Sequence, residues 1–159
     1  MVAQEQRQFD DSIAFYQKAV QINEDADDLC QASYQYQGLG EIAKEQGDFE
    51  TAVACFQTAF EARSAANDGR KASSTLTAWG ETLEARSNWT EATQIYLHAL
   101  AIDIEHNEEW VGSDITDLGR MLKQLGDSQF KIIWRELTGD ECPEHWFSAI
   151  QKASSIDPN

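Results

Sequence analysis

The sequence contains little proline, cysteine or positive charge. Its 159 residues include two prolines and three cysteines, and 28 Asp and Glu stand against 12 Lys and Arg, for a formal net charge of −16. Pro143 and Pro158 both lie near the C-terminus, so no proline interrupts a helix before that point. The acidity argues against nucleic acid or an anionic membrane surface as the main partner, because both would repel the chain.

Disulfides and membrane spans also lack the residues they require. Cys30, Cys55 and Cys142 are odd in number and form no C-x-x-C pair, which argues against a disulfide framework or a zinc knuckle. No apolar run approaches the ~18 residues of a membrane span. The N-terminus has no apolar core of the kind found in signal peptides. We therefore expect reduced thiols and a cytoplasmic location.

Signatures of catalysis and metal binding are missing as well. The chain contains no G-x-x-x-x-G-K-[ST], H-E-x-x-H or G-x-S-x-G motif. Glu108 and Glu109 are adjacent, and neighbouring helix residues diverge by about 100°, so they do not form an acid–base pair. Cys142, Glu144 and His145 are close in sequence but are weak evidence for a metal. The sequence predicts no catalytic residue, no metal and no cofactor.

What the sequence does contain is a repeat of 40 residues. Phe9, Phe49 and Trp89 are spaced by 40, and each opens a pattern of a small residue, an aromatic and an alanine at i, i+4 and i+7. This spacing puts the three side chains on one helical stripe. The stripes are Ser12/Tyr16/Ala19, Ala52/Phe56/Ala59 and Ala92/Tyr96/Ala99. Such a period predicts stacked units that bury their apolar faces against one another.

Glycines and turn residues recur with a similar period. Glycine inside a helix costs about 1 kcal/mol against alanine, so its repetition predicts close approach of a facing helix. The glycines occur in Leu39-Gly40, Trp79-Gly80 and Leu118-Gly119, and we expect these leucines and Trp79 to interlock with the aromatic stripe. Helix stops followed by capping side chains are expected at Gly47-Asp48, Ser87-Asn88 and Gly126-Asp127. Helices are expected near 8–22, 26–46, 49–65, 68–86, 89–105, 108–125, 128–137 and 143–153.

These patterns predict one all-α domain over residues 1–159. The repeats cover 8–126 and begin with half a repeat, because the first pattern is that of the second helix of a pair. Residues 127–159 lose the aromatic ladder and are expected to form a degenerate repeat and C-terminal cap. The half repeat suggests that the chain is a piece of a longer array.

The paired pattern resembles the tetratricopeptide repeat family, in which the first helix carries Leu-Gly and the second a small–aromatic–Ala ladder. The period of 40 is longer than the common 34 and is similar to the variant in kinesin light chains and bacterial signalling proteins. The resemblance implies a right-handed α-solenoid that binds a protein or peptide, with the first helices lining its concave face. Carried onto this sequence, the binding positions are Tyr34, Gln37, Glu41, Lys44, Glu45, Lys71, Ser74, Thr77, Glu81, Glu84, Trp110, Ser113, Thr116, Arg120, Lys123 and Gln124.

Three functional hypotheses follow. The first is a protein- or peptide-binding arm of a signalling protein, with Trp110 as an exposed anchor. Its ligand would place a basic part over the acidic first two repeats and an acidic part near Arg120 and Lys123. The second is self-assembly through the stripe Ile13/Tyr16/Val20, and an enzyme is a distant third. A face that is merely solvated is the alternative to any binding surface.

Overall fold

The computed structural model describes residues 29–106 and 108–156, together with positions 9, 11, 13, 14 and 16–18. The described positions between 9 and 18 are all helical, as the predicted helix at 8–22 requires. Ser12, Ala19 and Val20 lie outside the described residues.

Seven α-helices follow one another between residues 29 and 156, and this described part of the chain has no β-strand. The all-α prediction is confirmed, and every helix end lies within three residues of its predicted position. The helices are α1 (Leu29–Glu45), α2 (Phe49–Ala65), α3 (Gly69–Ala85), α4 (Trp89–His106), α5 (Val111–Leu125), α6 (Asp127–Thr138) and α7 (Glu144–Ser154), with a 3₁₀ turn at Glu108–Trp110 before α5.

Short turns connect the helices, and a side chain in the turn caps the start of the second helix of each pair. Gly47 has φ 78°, and the following Asp48 accepts a hydrogen bond from the Thr51 amide at 3.2 Å. Ser87 adopts φ 59° without being glycine, and Asn88 accepts from the Glu91 amide at 3.5 Å. These reversals make α1/α2 and α3/α4 antiparallel pairs.

The capping prediction is wrong at the third turn. Gly126 itself precedes α6 with φ 76°, while Asp127 is already the first helical residue and caps nothing with its side chain. A cap that was not predicted lies between the helices expected at 49–65 and 68–86. Asn67 has φ 56°, and the next residue, Asp68, caps α3 by accepting a hydrogen bond from the Lys71 amide at 3.2 Å.

Aromatic rings of the second helices pack directly on glycines of the first helices. A Cβ added to Gly40 would lie 2.7 Å from the Phe56 ring, and one added to Gly80 would lie 2.6 Å from the Tyr96 ring. Real Cβ atoms do not approach ring carbons so closely, so any side chain at these positions would displace the aromatic. Close approach therefore explains why glycine recurs in the first helices, as the sequence predicted.

The predicted core is correct for three of its six members and partly wrong for the other three, of which Tyr16 is half-buried. Phe56, Tyr96 and Leu118 are fully buried. Leu39 and Trp79 are only half-buried, and Trp79 packs against the edges of both core clusters. Each stands next to the glycine that receives the ring, and adjacent helix residues point about 100° apart. Both therefore lie beside the centre of the interface.

The C-terminal end replaces the aromatic ladder with a helix that crosses close to α5. A Cβ added to Gly119 would lie 2.8 Å from the backbone nitrogen of Ser154, at the end of α7. Phe130 of α6 and Phe147 of α7 are buried, with ring centroids 6.5 Å apart. Thus α7 packs on Gly119, whereas the equivalent Gly40 and Gly80 are covered by aromatic rings of the second helices. The contact between Phe130 and Phe147 supports α7 from the side of α6.

Candidate functional site

An ion-pair cluster joins α1 to α3 on the surface formed by the predicted binding residues of α1, α3 and α5, here called the first-helix face. Lys44 Nζ lies 3.0 Å from Glu41 Oε2 and 3.1 Å from Glu81 Oε2. Burial alone would lower the pKa of Lys44, but hydrogen bonds to Glu41 and Glu81 raise it overall. Its positive charge is therefore shared between two carboxylates of this chain.

A second cluster joins α3 to α5. Arg120 donates from Nε and Nη2 to the two carboxylate oxygens of Glu84, both at 2.9 Å, and from Nη1 to Asp117 Oδ1 at 2.8 Å. The Tyr96 hydroxyl donates to Glu84 Oε2 at 2.8 Å. Burial would raise the pKa of Glu84, but the hydrogen bonds from Arg120 and Tyr96 lower it below its usual value. Such a bidentate contact fixes α3 and α5 in register as well as in distance.

These pairs change the charge distribution predicted for the ligand. The predicted residues of Arg120's own repeat include no acid. In the structure Glu84, a predicted residue of the previous repeat, holds it in a bidentate contact. Arg120 is therefore a weak attractor for an acidic part of a ligand, because its charge is already compensated within the chain.

A buried arginine occupies the junction between α1, α2 and α3. Arg63 is only 4% exposed and donates from Nη1 to Gln37 Oε1 at 3.0 Å, to the Lys71 carbonyl at 3.2 Å and to the Thr75 hydroxyl. Its guanidinium carbon lies 5.4 Å from the centre of the Tyr34 ring. A guanidinium is thus held at this junction by hydrogen bonds and a cation–π contact.

The next junction, between α3, α4 and α5, contains a cavity of about 260 Å³. Four predicted binding residues line it, together with two buried carboxylates of which neither was predicted. We call it the carboxylate cavity, and its lining residues are Ser74, Thr77, Asp103, Trp110, Ser113 and Asp114. Ser74 and Ser113 are exposed, whereas Asp103 and Asp114 are 1% and 2% exposed, so the cavity extends from the surface to the buried acids.

The two acids of the carboxylate cavity face one another. Asp103 accepts a hydrogen bond from the Ser73 hydroxyl at 2.6 Å. Asp114 Oδ2 is buried without a hydrogen-bond donor. Burial, with the nearby charges of Asp103 and Asp117 and a hydrogen bond to Asp103, raises the pKa of Asp114 to about 7. A proton between the two carboxyls relieves their repulsion, and a cation at the same place would do so as well.

The structure brings some of the predicted residues together and leaves others apart. Ser74, Thr77, Trp110 and Ser113 meet in the carboxylate cavity. Trp110 is half-buried there, so its description as an exposed anchor was wrong. Four others meet in a second cavity of about 220 Å³ beside Trp89 and α7, and these are Glu84, Arg120, Lys123 and Gln124. Glu45 and Thr116 are exposed and line neither cavity.

At the first junction, predicted residues surround the guanidinium of Arg63. Tyr34 is 38% exposed, and Lys71 Nζ lies 4.8 Å from the centre of its ring. Gln37 accepts from Arg63 and donates to Glu41 Oε1 at 3.2 Å. This half of the first-helix face is therefore organised by contacts within the chain.

Sequence reasoning missed Arg63, Asp103 and Asp114. Arg63 and Asp103 each lie four residues after the alanine of an aromatic stripe, Ala59 and Ala99, where an apolar residue would be expected. A charged residue on a core-facing stripe was a signal that could have found them, since such groups are almost never buried without a partner. Asp114 carries no such signal, because its burial depends on how α5 packs against α4.

Among the side chains that the structure describes, two cysteines and the possible metal ligands bear on redox and metal chemistry. Cys55 and Cys142 are free thiols, and burial raises the pKa of both, that of Cys142 to about 11, which makes them poor nucleophiles. Within the described residues no three His, Cys, Asp or Glu side chains cluster as metal ligands would. None of the described helices is both long and apolar enough to cross a membrane.

Comparison with known proteins agrees with the helix pairs. The family model described as tetratricopeptide repeat matches residues 28–105, which span the pairs α1/α2 and α3/α4 except for His106, the last residue of α4. No curated protein and no solved structure matched the chain. The match and the ring-on-glycine packing of both pairs support the same assignment. This chain is an all-α solenoid, and its residues 28–105 belong to the tetratricopeptide repeat family.

Proposed function

We propose that this protein binds a peptide segment of a partner protein along the first-helix face. The observation that carries the proposal is the carboxylate cavity, where predicted residues of two successive first helices and Trp110 line one space of about 260 Å³. Tetratricopeptide repeats generally mediate protein–protein interaction, which agrees with such a use. A concave site with a few polar groups and an aromatic side chain is also the usual form of a binding site.

The polar character of the face supports a peptide as the ligand. Exposed Ser74 and Ser113 offer hydroxyl groups that can donate and accept hydrogen bonds, as extended backbone requires. The half-buried ring of Trp110 offers apolar area beside them. Lys44 and Arg120 are paired with acids of the chain, and the buried end of the carboxylate cavity carries Asp103 and Asp114, so this end of the face is acidic. The partner segment that fits this face carries more positive than negative charge.

Self-assembly and catalysis have less support. Tyr16 belongs to the stripe expected to seek a second chain, yet its ring lies against Gly38 of α1, where an added Cβ would be 2.6 Å away. Ile13 lines a cavity together with Leu39 and Ile42 of α1. The stripe is therefore at least partly covered within the chain. Enzymatic activity remains the third hypothesis. A role in a signalling protein rests on the family resemblance alone, and the expected cytoplasmic location rests on the cysteine pattern and the N-terminal sequence.

A peptide-display selection tests the proposal. Peptides selected against the protein should lose most of their affinity for Thr116→Arg, which places a long side chain on the first-helix face. Thr58→Arg is the matched control on α2, since both threonines are exposed and each donates its hydroxyl to the carbonyl four residues earlier. Equal binding to both variants, or no selectable peptide, would contradict the proposal.

A further inference from the structure

The two junctions of the solenoid are built on the same repeat position with opposite charge. Arg63 and Asp103 are 40 residues apart and both follow the alanine of their stripe by four. Both side chains are buried, at 4% and 1% exposure. Each projects from a second helix between two successive first helices, so the same place in the fold holds a cation at one junction and an anion at the next.

The partner positions are equivalent too. Thr75 precedes Gly80 by five residues, and Asp114 precedes Gly119 by five. At the first junction Thr75 accepts a hydrogen bond from Arg63. At the second, Asp114 meets Asp103, so two acceptors stand where the first junction has a donor and an acceptor. Among the described residues, none supplies at the second junction the positive charge that Arg63 supplies at the first.

This deficit has a measurable physical cost. The Asp114 carboxyl shares a hydrogen bond with Asp103, but its Oδ2 is buried with no donor, and a buried acceptor left unsatisfied is disfavoured. The cavity beside it, about 260 Å³, is far larger than the ~10–15 Å³ needed by one water. The space and the missing positive charge occur at the same place in the fold.

We propose that the carboxylate cavity binds the cationic head of an arginine or lysine side chain from a partner peptide. Asp103 and Asp114 lie at its buried end as acceptors, and Trp110 lines it as an apolar and cation–π surface. The exposed hydroxyls of Ser74 and Ser113 lie where the stem and backbone of the residue enter. This inference rests on the proposed function and names the residue type that the first-helix face selects.

The arrangement suits an organic cation better than a metal ion. Within the described residues no three His, Cys, Asp or Glu side chains are arranged so that they could hold a metal ion, and hard cations require more oxygen ligands than two carboxylates supply. The first junction shows how this fold holds an organic cation, since Arg63 is bound there by neutral oxygens and an aromatic ring. In the carboxylate cavity the same kind of group would meet two acids and a tryptophan.

Acetyl-arginine amide is the probe that tests the proposal, with acetyl-citrulline amide as a neutral molecule of nearly the same shape. Titration is followed by backbone NMR shifts and the Trp110 indole signal at constant ionic strength. We expect a Kd of about 1–10 mM for the arginine probe, in the range of a single weak contact. The citrulline probe should bind at least about fivefold more weakly, because it cannot supply the charge.

Two variants and one control locate the effect. Asp114→Asn should remove the preference for arginine over citrulline, and Ser74→Arg should block the probe by placing a guanidinium at the cavity within the chain. Glu105→Gln is the control, because it removes one charge from an exposed position of α4, two residues from Asp103, and should retain the preference. Circular dichroism checks that each variant is folded.

Equal binding of both probes, or an unchanged preference in Asp114→Asn, would overturn the inference. This result is distinguishable from failure of the proposed function. If selected peptides bind the first-helix face without enrichment in arginine or lysine, the cation pocket is wrong while peptide binding stands. If the arginine probe binds but no peptide can be selected, the pocket stands and the proposed function fails.

Discussion

Replacement of Gly80 by alanine tests the ring-on-glycine packing that holds the helix pairs together. The new Cβ would lie 2.6 Å from Tyr96 Cε1 and 2.8 Å from Cζ. Tyr96 is fully buried, and its hydroxyl is bound to Glu84, so the ring has little freedom to move aside. Alanine gains about 1 kcal/mol of helix propensity, while overpacking costs about 1–3 kcal/mol. We expect a net destabilisation of about 0–2 kcal/mol.

Gly112→Ala is the matched control for this experiment. Gly112 also lies in a first helix, α5, but a Cβ added there meets no atom within 4 Å. The Gly112→Ala substitution should leave the free energy of unfolding unchanged or raise it by up to about 1 kcal/mol. Urea denaturation followed by circular dichroism gives both free energies of unfolding. Stabilisation by Gly80→Ala equal to that by Gly112→Ala would show that the Tyr96 ring does not rest on Gly80.

Three further predictions concern the core, the carboxylate pair and the oligomeric state. Phe56→Ala should cost about 3–5 kcal/mol in urea denaturation, as a large-to-small core change does, and a loss below about 1 kcal/mol would place Phe56 outside the core. Asp114 has a pKa raised to about 7 in the folded state, above an unfolded value near 3.9. The native state therefore binds more protons between these values, and stability falls as pH rises through that window. Asp114→Asn should stabilise the protein by about 1–3 kcal/mol at pH 8 and much less at pH 5, and an equal effect at both would refute the shared proton. Sedimentation should show a monomer, whereas a concentration-dependent dimer disrupted by Ile13→Asp would favour self-assembly.

The helical layout could be predicted from the sequence because its signals are local and repeated. The aromatic stripes placed Phe56 and Tyr96 in the core, and the recurring glycines indicated where the facing helix would approach. Caps at Asp48 and Asn88 followed from residue type. The packing of α7 on Gly119 could not be predicted in this way, since no repeated pattern links two segments that are distant in sequence.

The candidate site was predictable only in part, for a related reason. Ser74, Thr77, Trp110 and Ser113 were found because their positions relative to the repeat glycine place them on one face. The buried pair of Asp103 and Asp114 depends on how a second helix meets the following first helix, which the repeat period does not specify. The pairing of Arg120 with Glu84 depends likewise on the stacking of adjacent repeats.

The most direct test of peptide binding is to map a selected peptide on the protein by NMR. In the bound state, the largest backbone shift changes should lie on α3 and α5, at Ser74, Thr77 and Ser113, with a change in the Trp110 indole signal. The exposed positions Gln57 and Glu61 of α2 should remain unchanged. Changes concentrated on the second helices, with Ser74 and Ser113 unaffected, would contradict the account.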